Sequence, residues 1–234
     1  MLNRQQLLLG TGGLLAGNFA RSGLEGHAED HGRIQLGAQT NAWAIDRIQF
    51  DSFPGLLKQI CGAGYSGFET GFPNVISQFD DPRPAGRRIE ALGLTFFGTH
   101  IYLPSPQYDP STHLPPASLY EKVAQGSAAL GARHLIFSAE PVNDKADLEH
   151  KIRGLNAAGD FCRRAGVPLV YHNETSQESR SKINGLEELY RGTDPAAVSF
   201  VLDCQQEFGA GTYSEFSRRN FAGQASECST ASGN

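Results

Sequence analysis

The 234-residue sequence is poor in cysteine and carries no excess of basic side chains. Its cysteines, Cys61, Cys162, Cys204 and Cys228, form no C-x-x-C pair and no zinc-type spacing, which predicts isolated thiols rather than a disulfide framework or a zinc finger. Lys and Arg number 20 against 25 Asp and Glu, a net charge of −5. An acidic chain has no general attraction for phosphate backbones, so we do not expect nucleic acid as a partner.

The sequence also lacks an apolar run long enough to cross a membrane. The run from Leu7 to Ala16 has only about half of the roughly 20 residues that a bilayer requires. It follows Arg4 and precedes small residues, which is the layout of an export signal, and it resembles a twin-arginine signal with Gln5 in place of the second arginine. Residues 1–30 are therefore expected to lie outside the fold, as a signal for export to the periplasm. The alternative is a disordered segment of a cytoplasmic protein.

Apolar runs rich in β-branched residues recur along the rest of the chain at intervals of 31, 28, 39, 34 and 31 residues. A strand, a helix and two short loops need about 30 residues, so this spacing predicts consecutive βα units. The predicted strands are Leu36–Trp43, Gly67–Phe72, Thr95–Leu103, His134–Ala139, Pro168–Asn173 and Ser199–Cys204.

The segments between these runs have helical spacing. Apolar residues share one face in three of them, namely Leu56, Leu57 and Ile60, then Leu148, Ile152 and Leu155, then Ile183, Leu186 and Leu189. Gly64, Gly93, Gly131 and Gly166 each stand shortly before a predicted strand, where glycine ends a helix with positive φ. A parallel sheet covered by helices follows, either doubly wound or a (β/α)₈ barrel. The first strand is followed by no G-x-G-x-x-G, and the sequence has no Walker motif, so the barrel is favoured.

Polar residues stand at the carboxyl ends of the predicted strands, where a barrel has its active site. They are Gln39, Trp43, Glu69, His100, Glu140, His172, Glu174 and Asp203. His, Glu and Asp predominate, and these are ligands for divalent metals. A capping or surface role is an equal alternative for His100 and Glu140. Asp203 and the Tyr171-His172-Asn173-Glu174 cluster follow buried strands directly, which favours function.

Four motifs together resemble the sugar phosphate isomerase/epimerase family of xylose isomerase-like TIM barrels. They are Gly37-Ala38-Gln39-Thr40, Ala63-Gly64-Tyr65-Ser66-Gly67-Phe68-Glu69-Thr70-Gly71, Gly166-Val167-Pro168-Leu169-Val170-Tyr171-His172-Asn173 and Val201-Leu202-Asp203. The resemblance covers residues 34–211. It implies a divalent metal (Mn, Mg, Co or Zn) and a sugar or polyol substrate, with carboxylates moving a proton beside a metal-bound carbonyl or hydroxyl.

The resemblance also assigns roles to individual residues. Asp203 matches a metal ligand, and either His172 or Glu174 supplies the ligand from the fifth strand. Glu69, with His172 and Glu174, is the candidate for proton transfer. His100 is expected to face the substrate, and Trp43 to pack on the apolar face of a sugar ring, although a lone aromatic is as often part of a core.

The chain departs from the family after Cys204, where too few residues remain for two further βα units. The sequence therefore predicts an incomplete barrel domain over 31–211, with about six βα units, no seventh or eighth strand, and a disordered polar tail over 212–234. Truncation of a longer enzyme is one explanation, and an open form completed by homo-oligomerisation is the other.

Two functions follow from these observations. The first is a metal-dependent sugar isomerase or epimerase, impaired by truncation, acting on an unphosphorylated sugar. The second is a non-catalytic remnant of the same fold that binds carbohydrate or a partner. An abasic-site endonuclease would need more metal-binding His and Glu residues and a basic groove, which this acidic chain does not offer.

Overall fold

The computed structural model describes residues 35–43, 45, 50–142, 144–172 and 185–201. Within these residues six strands alternate with five α-helices. The strands are β1 (Gly37–Gln39), β2 (Gly67–Gly71), β3 (Thr95–Ile101), β4 (His134–Phe137), β5 (Leu169–His172) and β6 (Val198–Val201). The helices are α1 (Phe53–Gly62), α2 (Pro82–Glu90), α3 (Ala117–Ala129), α4 (Lys145–Arg164) and α5 (Gly185–Gly192).

Every strand pairs in parallel with the next one along the chain, so the sheet order is β1-β2-β3-β4-β5-β6. A doubly wound sheet reverses its strand order at a switch point, and this sheet does not. The prediction of a barrel-type parallel sheet is therefore confirmed for the six described strands. None of the described helices is both long and apolar enough to cross a membrane.

The helix ends also follow the prediction. Gly64, Gly93, Gly131 and Gly166 have φ of +89°, +68°, +88° and +85°. L side chains rarely adopt this conformation, so glycine ends each helix at low conformational cost and turns the chain into the next strand. The predicted apolar faces pack against the sheet, with Leu57, Ile60 and Leu155 fully buried. Ile183 lies outside the described residues.

The predicted first strand, Leu36–Trp43, is too long. β1 ends at Gln39, and Thr40–Ala42 form a 3₁₀ turn. The Gln39 side chain accepts a hydrogen bond from the backbone N–H of Asn41 at 3.1 Å, which caps the turn and ends the ladder. Residues 36–43 are apolar enough to predict a strand, but the hydrogen bond to the Gln39 side chain ends the strand earlier.

The two free thiols in the described part of the chain, Cys61 and Cys162, agree with the prediction of isolated cysteines. Burial raises the pKa of the Cys162 thiol to about 12, so this cysteine is a packing residue rather than a nucleophile. Cys204 and Cys228 lie outside the described residues.

The ring of Phe97 packs against the sheet at a place where two glycines leave room for it. A Cβ atom added to Gly37 or Gly67 would come within 2.4 and 2.5 Å of that ring. At Gly67 the added atom would also meet the backbone oxygen of Thr95 at 2.4 Å. Gly37 and Gly67 are the first residues of β1 and β2, so the Phe97 ring packs at the amino ends of these strands.

We expect Gly67→Ala to lower the free energy of unfolding by about 1–3 kcal/mol, because the Phe97 ring and the Thr95 backbone must move to admit a methyl group. Gly71→Ala is the matched control on the same strand, since its added Cβ would come no closer than 3.5 Å to Pro73. That variant is expected to stay within about 0.5 kcal/mol of wild type. Urea unfolding of the two variants tests this difference, and equal stabilities would contradict the packing.

Candidate functional site

Alternation along the strands directs one side chain from each of four neighbouring strand ends to the same place. Glu69 comes from β2, His100 from β3, Ser138 from the residue after β4, and His172 from the end of β5. The register sets Gly71 beside His100, and His100 beside Ile136. Three residues predicted from the sequence, Glu69, His100 and His172, are therefore brought together at the carboxyl end of the sheet.

His100 is the centre of this group. Its Nδ1 lies 3.2 Å from Oε1 of Glu69, and its Nε2 lies 2.8 Å from Oγ of Ser138. The ring centroids of His100 and His172 are 5.1 Å apart at an interplanar angle of 42°. Both nitrogens of His100 thus contact protein groups, and its ring is only 8% exposed.

A cavity of about 640 Å³ opens at this end of the sheet. Its lining includes Trp43 and His100, the two residues predicted to contact substrate, and His172, which was predicted as a catalytic residue and metal ligand. The rest of its described lining consists of amides, one hydroxyl, one phenol, glycine, proline and isoleucine, with no Asp, Glu, Lys or Arg. Glu69 is not part of the lining but reaches the cavity wall through His100. The described wall is therefore polar and formally uncharged.

Two aromatic side chains at the cavity are unusually exposed. Trp43 is 36% exposed and Tyr102 is 60% exposed, and both line the cavity. Trp43 is therefore not a core residue. Tyr102 was missed because the sequence predicted a strand through Leu103, whereas β3 ends at Ile101. Exposed aromatic faces beside a polar cavity suit the C–H faces of a sugar ring.

A second polar group lies at the ends of β1 and β2. Oγ1 of Thr40 and Oγ1 of Thr70 are 2.7 Å apart, and Nδ2 of Asn74 donates to Oγ1 of Thr70 at 3.0 Å. Asn74 lines the cavity, and its buried Oδ1 has no hydrogen-bond partner among the residues that the structure describes. Asn74 could not be identified from the sequence, because Phe72-Pro73-Asn74 is typical of a simple turn.

Glu140 has a different place from the one the strand-end pattern indicated. It does not line the cavity, and its backbone oxygen accepts a hydrogen bond from Nζ of Lys151 at 2.9 Å. Lys151 is fully buried and also donates to the hydroxyl of Tyr171 at 2.8 Å. The contact uses the backbone of Glu140 and not its carboxylate, and Lys151 thereby joins α4 to the segment after β4 and to β5.

The predicted metal ligands are only partly described. His172 lines the cavity, whereas Glu174 and Asp203 lie outside the described residues. In the part of the chain that the structure describes, no group of three His, Cys, Asp or Glu side chains is placed to hold a metal ion.

Comparison with known proteins agrees with the fold described above. No family model matches the chain. An inosose dehydratase of Bacillus licheniformis is 25% identical over 163 residues, which is 63% of this chain and 51% of the relative. The matched part of the chain thus spans about half the length of this curated relative.

Solved structures share the fold at low sequence identity. A sugar phosphate isomerase/epimerase from Parabacteroides distasonis matches with a TM-score of 0.58 and 18% identity, over 76% of this chain and 68% of that one. A D-allulose 3-epimerase from Methylomonas sp. matches with a TM-score of 0.60 and 13% identity, over 74% and 64% of the two chains. The predicted resemblance to sugar phosphate isomerase/epimerase and xylose isomerase-like barrels is confirmed as a shared fold.

Proposed function

We propose that this chain binds an uncharged sugar or cyclic polyol in the barrel cavity and transfers a proton at a carbon next to a carbonyl. One observation carries the proposal: a carboxylate–histidine pair stands at the carboxyl ends of parallel strands, and its histidine belongs to a cavity lining that is formally uncharged over the described residues. A cavity of about 640 Å³ lies within the usual range for small-molecule sites.

The uncharged lining favours an unphosphorylated ligand. Phosphate groups are bound by Arg, Lys or clustered backbone N–H groups, and the described lining contains neither Arg nor Lys. Amide groups of Gln39, Asn41 and Asn74 offer both donors and acceptors, which match the hydroxyl groups of a polyol. The exposed faces of Trp43 and Tyr102 complement the apolar face of a ring.

Glu69 is the proposed proton acceptor. A carboxylate can remove a proton from a carbon next to a carbonyl. The Glu69 side chain is 26% exposed, and its Oε1 lies 3.2 Å from Nδ1 of His100, which is part of the cavity lining. The enediolate that forms can be reprotonated, as in epimerisation or isomerisation, or can lose a neighbouring hydroxide, as in dehydration. The similarity to sugar epimerases supports the first outcome and the similarity to an inosose dehydratase the second.

We further propose that His172, Glu174 and Asp203 form a divalent-metal site, as the motif resemblance implies. A bound divalent metal would polarise the substrate oxygen next to the reacting carbon. His172 has a suitable position at the end of β5, beside His100 and on the cavity wall.

Calorimetric titration of the full chain tests the ligand class. D-Allulose and an inosose are expected to bind, whereas a hexulose phosphate is expected to bind at least about tenfold more weakly, because the described lining offers its phosphate no Lys or Arg side chain. Chromatography of the same mixtures then identifies an epimer, an isomer or a dehydrated product. Preferential binding of the phosphate ester would contradict the proposed ligand class. Binding with no product would favour the non-catalytic alternative.

A further inference from the structure

A second pocket, of about 260 Å³, lies beside the main cavity at the start of α1. Trp43 and Ile45 line both spaces, so these two side chains form a common wall. Sites that hold a whole small ligand have volumes of about 300–1,000 Å³, so the second pocket suits one part of a ligand whose other part occupies the main cavity. The rest of its described lining consists of Ser52, Phe53, Gly55, Leu56 and Gln59.

The helical spacing of this lining gives the second pocket an apolar base and a polar edge. Ser52, Leu56 and Gln59 are four and three residues apart, so they follow one face of the helix. Phe53 and Leu56 are 1% and 8% exposed, and the Phe53 ring packs edge-on against Phe68 in the core. Ser52 and Gln59 are exposed, and they bring a hydroxyl and an amide to the pocket. A sugar ring has the matching combination of C–H faces and hydroxyl groups.

Gly55 leaves the space beside the first turn of α1 open. A Cβ atom added there would meet nothing within 4 Å, and Gly55 is not among the described glycines with positive φ. Glycine within a helix costs about 0.5–1 kcal/mol relative to alanine, and neither backbone conformation nor close packing accounts for it at this position. Its effect on the structure is to keep the second pocket free of a side chain.

We propose that the second pocket binds an uncharged sugar ring joined to the sugar in the main cavity, so that the ligand is a disaccharide or a related glycoside. This inference rests on the function proposed above and extends its substrate class. Trp43 is 36% exposed and lines both spaces, so its indole can contact both rings of such a ligand.

An anionic group suits the second pocket less well. The amino terminus of a helix favours negative charge, and the pocket lies at the amino terminus of α1. Its described lining, however, contains no Lys or Arg. Arg88 lies near this end of the helix, but its guanidinium is already paired with the Asp51 carboxylate at 2.7 Å. Hydroxyl groups therefore match the described lining better than a phosphate or a carboxylate.

The fluorescence of Trp43 measures binding, because Trp43 is the only tryptophan of the chain and lines both spaces. The full chain is titrated with D-fructose and with the four disaccharides in which glucose is linked to O1, O3, O4 or O6 of fructose (trehalulose, turanose, maltulose and isomaltulose). We expect at least one disaccharide to bind at least about tenfold more tightly than D-fructose.

Gly55→Leu is expected to bring the ratio of the two dissociation constants to about one, because the leucine side chain occupies the second pocket. Gly62→Leu is the matched control and is expected to keep the ratio of wild type. It adds the same side chain to the same helix, at a residue where an added Cβ also meets nothing within 4 Å and which lines neither space. Gln59→Trp fills the pocket from an exposed position and replaces Gly55→Leu if that variant does not fold.

A smaller preference for every disaccharide in the wild-type chain overturns the inference, and so does a preference that survives in the filled variant. If D-fructose binds and exchanges its proton with D₂O while no disaccharide binds more tightly, only this inference fails. If a disaccharide shows the expected preference but no proton exchange, the proposed catalysis fails and the second pocket keeps its assignment. Absence of binding by all five sugars contradicts both.

Discussion

Glu69→Gln is expected to lower kcat for proton transfer by about 10²–10⁴-fold, with a KM change of less than about threefold. Glutamine keeps the size of the side chain and its contact with His100, but it cannot take up a proton from carbon. Glu69 belongs to no part of the described hydrophobic core, so the variant is expected to fold. The measurement is steady-state turnover of the sugar that binds best in the calorimetric titration.

Glu140→Gln is the matched control for that experiment. Both residues are glutamates near strand ends, but the Glu69 carboxylate lies 3.2 Å from His100, whereas the hydrogen bonds described for Glu140 use its backbone atoms. Its kcat is expected to stay within about twofold of wild type. Equal losses of kcat in the two variants would show that Glu69 has no specific role in the reaction. Full activity of Glu69→Gln would mean that another residue accepts the proton.

Mn²⁺ at about 100 times its dissociation constant is expected to stabilise the chain by about 2.7 kcal/mol, because the ion binds the folded state alone. For a chain of this size that free energy raises Tm by about 5–10 °C. Asp203→Ala and His172→Ala are both expected to abolish the shift, since each removes a proposed ligand. Thermal unfolding with and without Mn²⁺, followed by addition of a chelator, measures it.

Asp160→Ala provides the comparison for the metal experiment. Asp160 pairs with Arg163 on the exposed side of α4, at 2.8 Å, and has no place in the site. Its Mn²⁺ response is expected to equal that of wild type. A flat response in wild type would contradict the metal proposal, and so would a shift that survives in Asp203→Ala. Neither result would affect the assignment of Glu69 and His100.

The fold was predictable from the sequence because its signals are local and repeated. The glycines that end four helices must adopt positive φ, and their spacing sets the length of each βα unit. The starts of β2, β3 and β4 follow directly, at Gly67, Thr95 and His134. The end of β1 was not predictable in this way, because it depends on a side-chain hydrogen bond from one turn.

The site was predictable only in part. Glu69, His100 and His172 follow apolar strands, and parallel strands bring their carboxyl ends together, so their meeting could be expected. Ser138 and Asn74 could not be identified, because serine and asparagine are common in turns, and only the tertiary structure shows which histidine or threonine each one binds. Tyr102 was not identified, because the predicted third strand extended two residues beyond the end of β3.

Proton exchange in D₂O tests the central claim most directly. The wild-type chain is incubated with D-allulose or an inosose, and deuterium at the carbon next to the carbonyl is followed by NMR. We predict that deuterium enters at that carbon faster than in buffer and faster than with Glu69→Gln. A sugar that binds in calorimetry and yet keeps its proton at the buffer rate would contradict catalysis and leave a carbohydrate-binding protein.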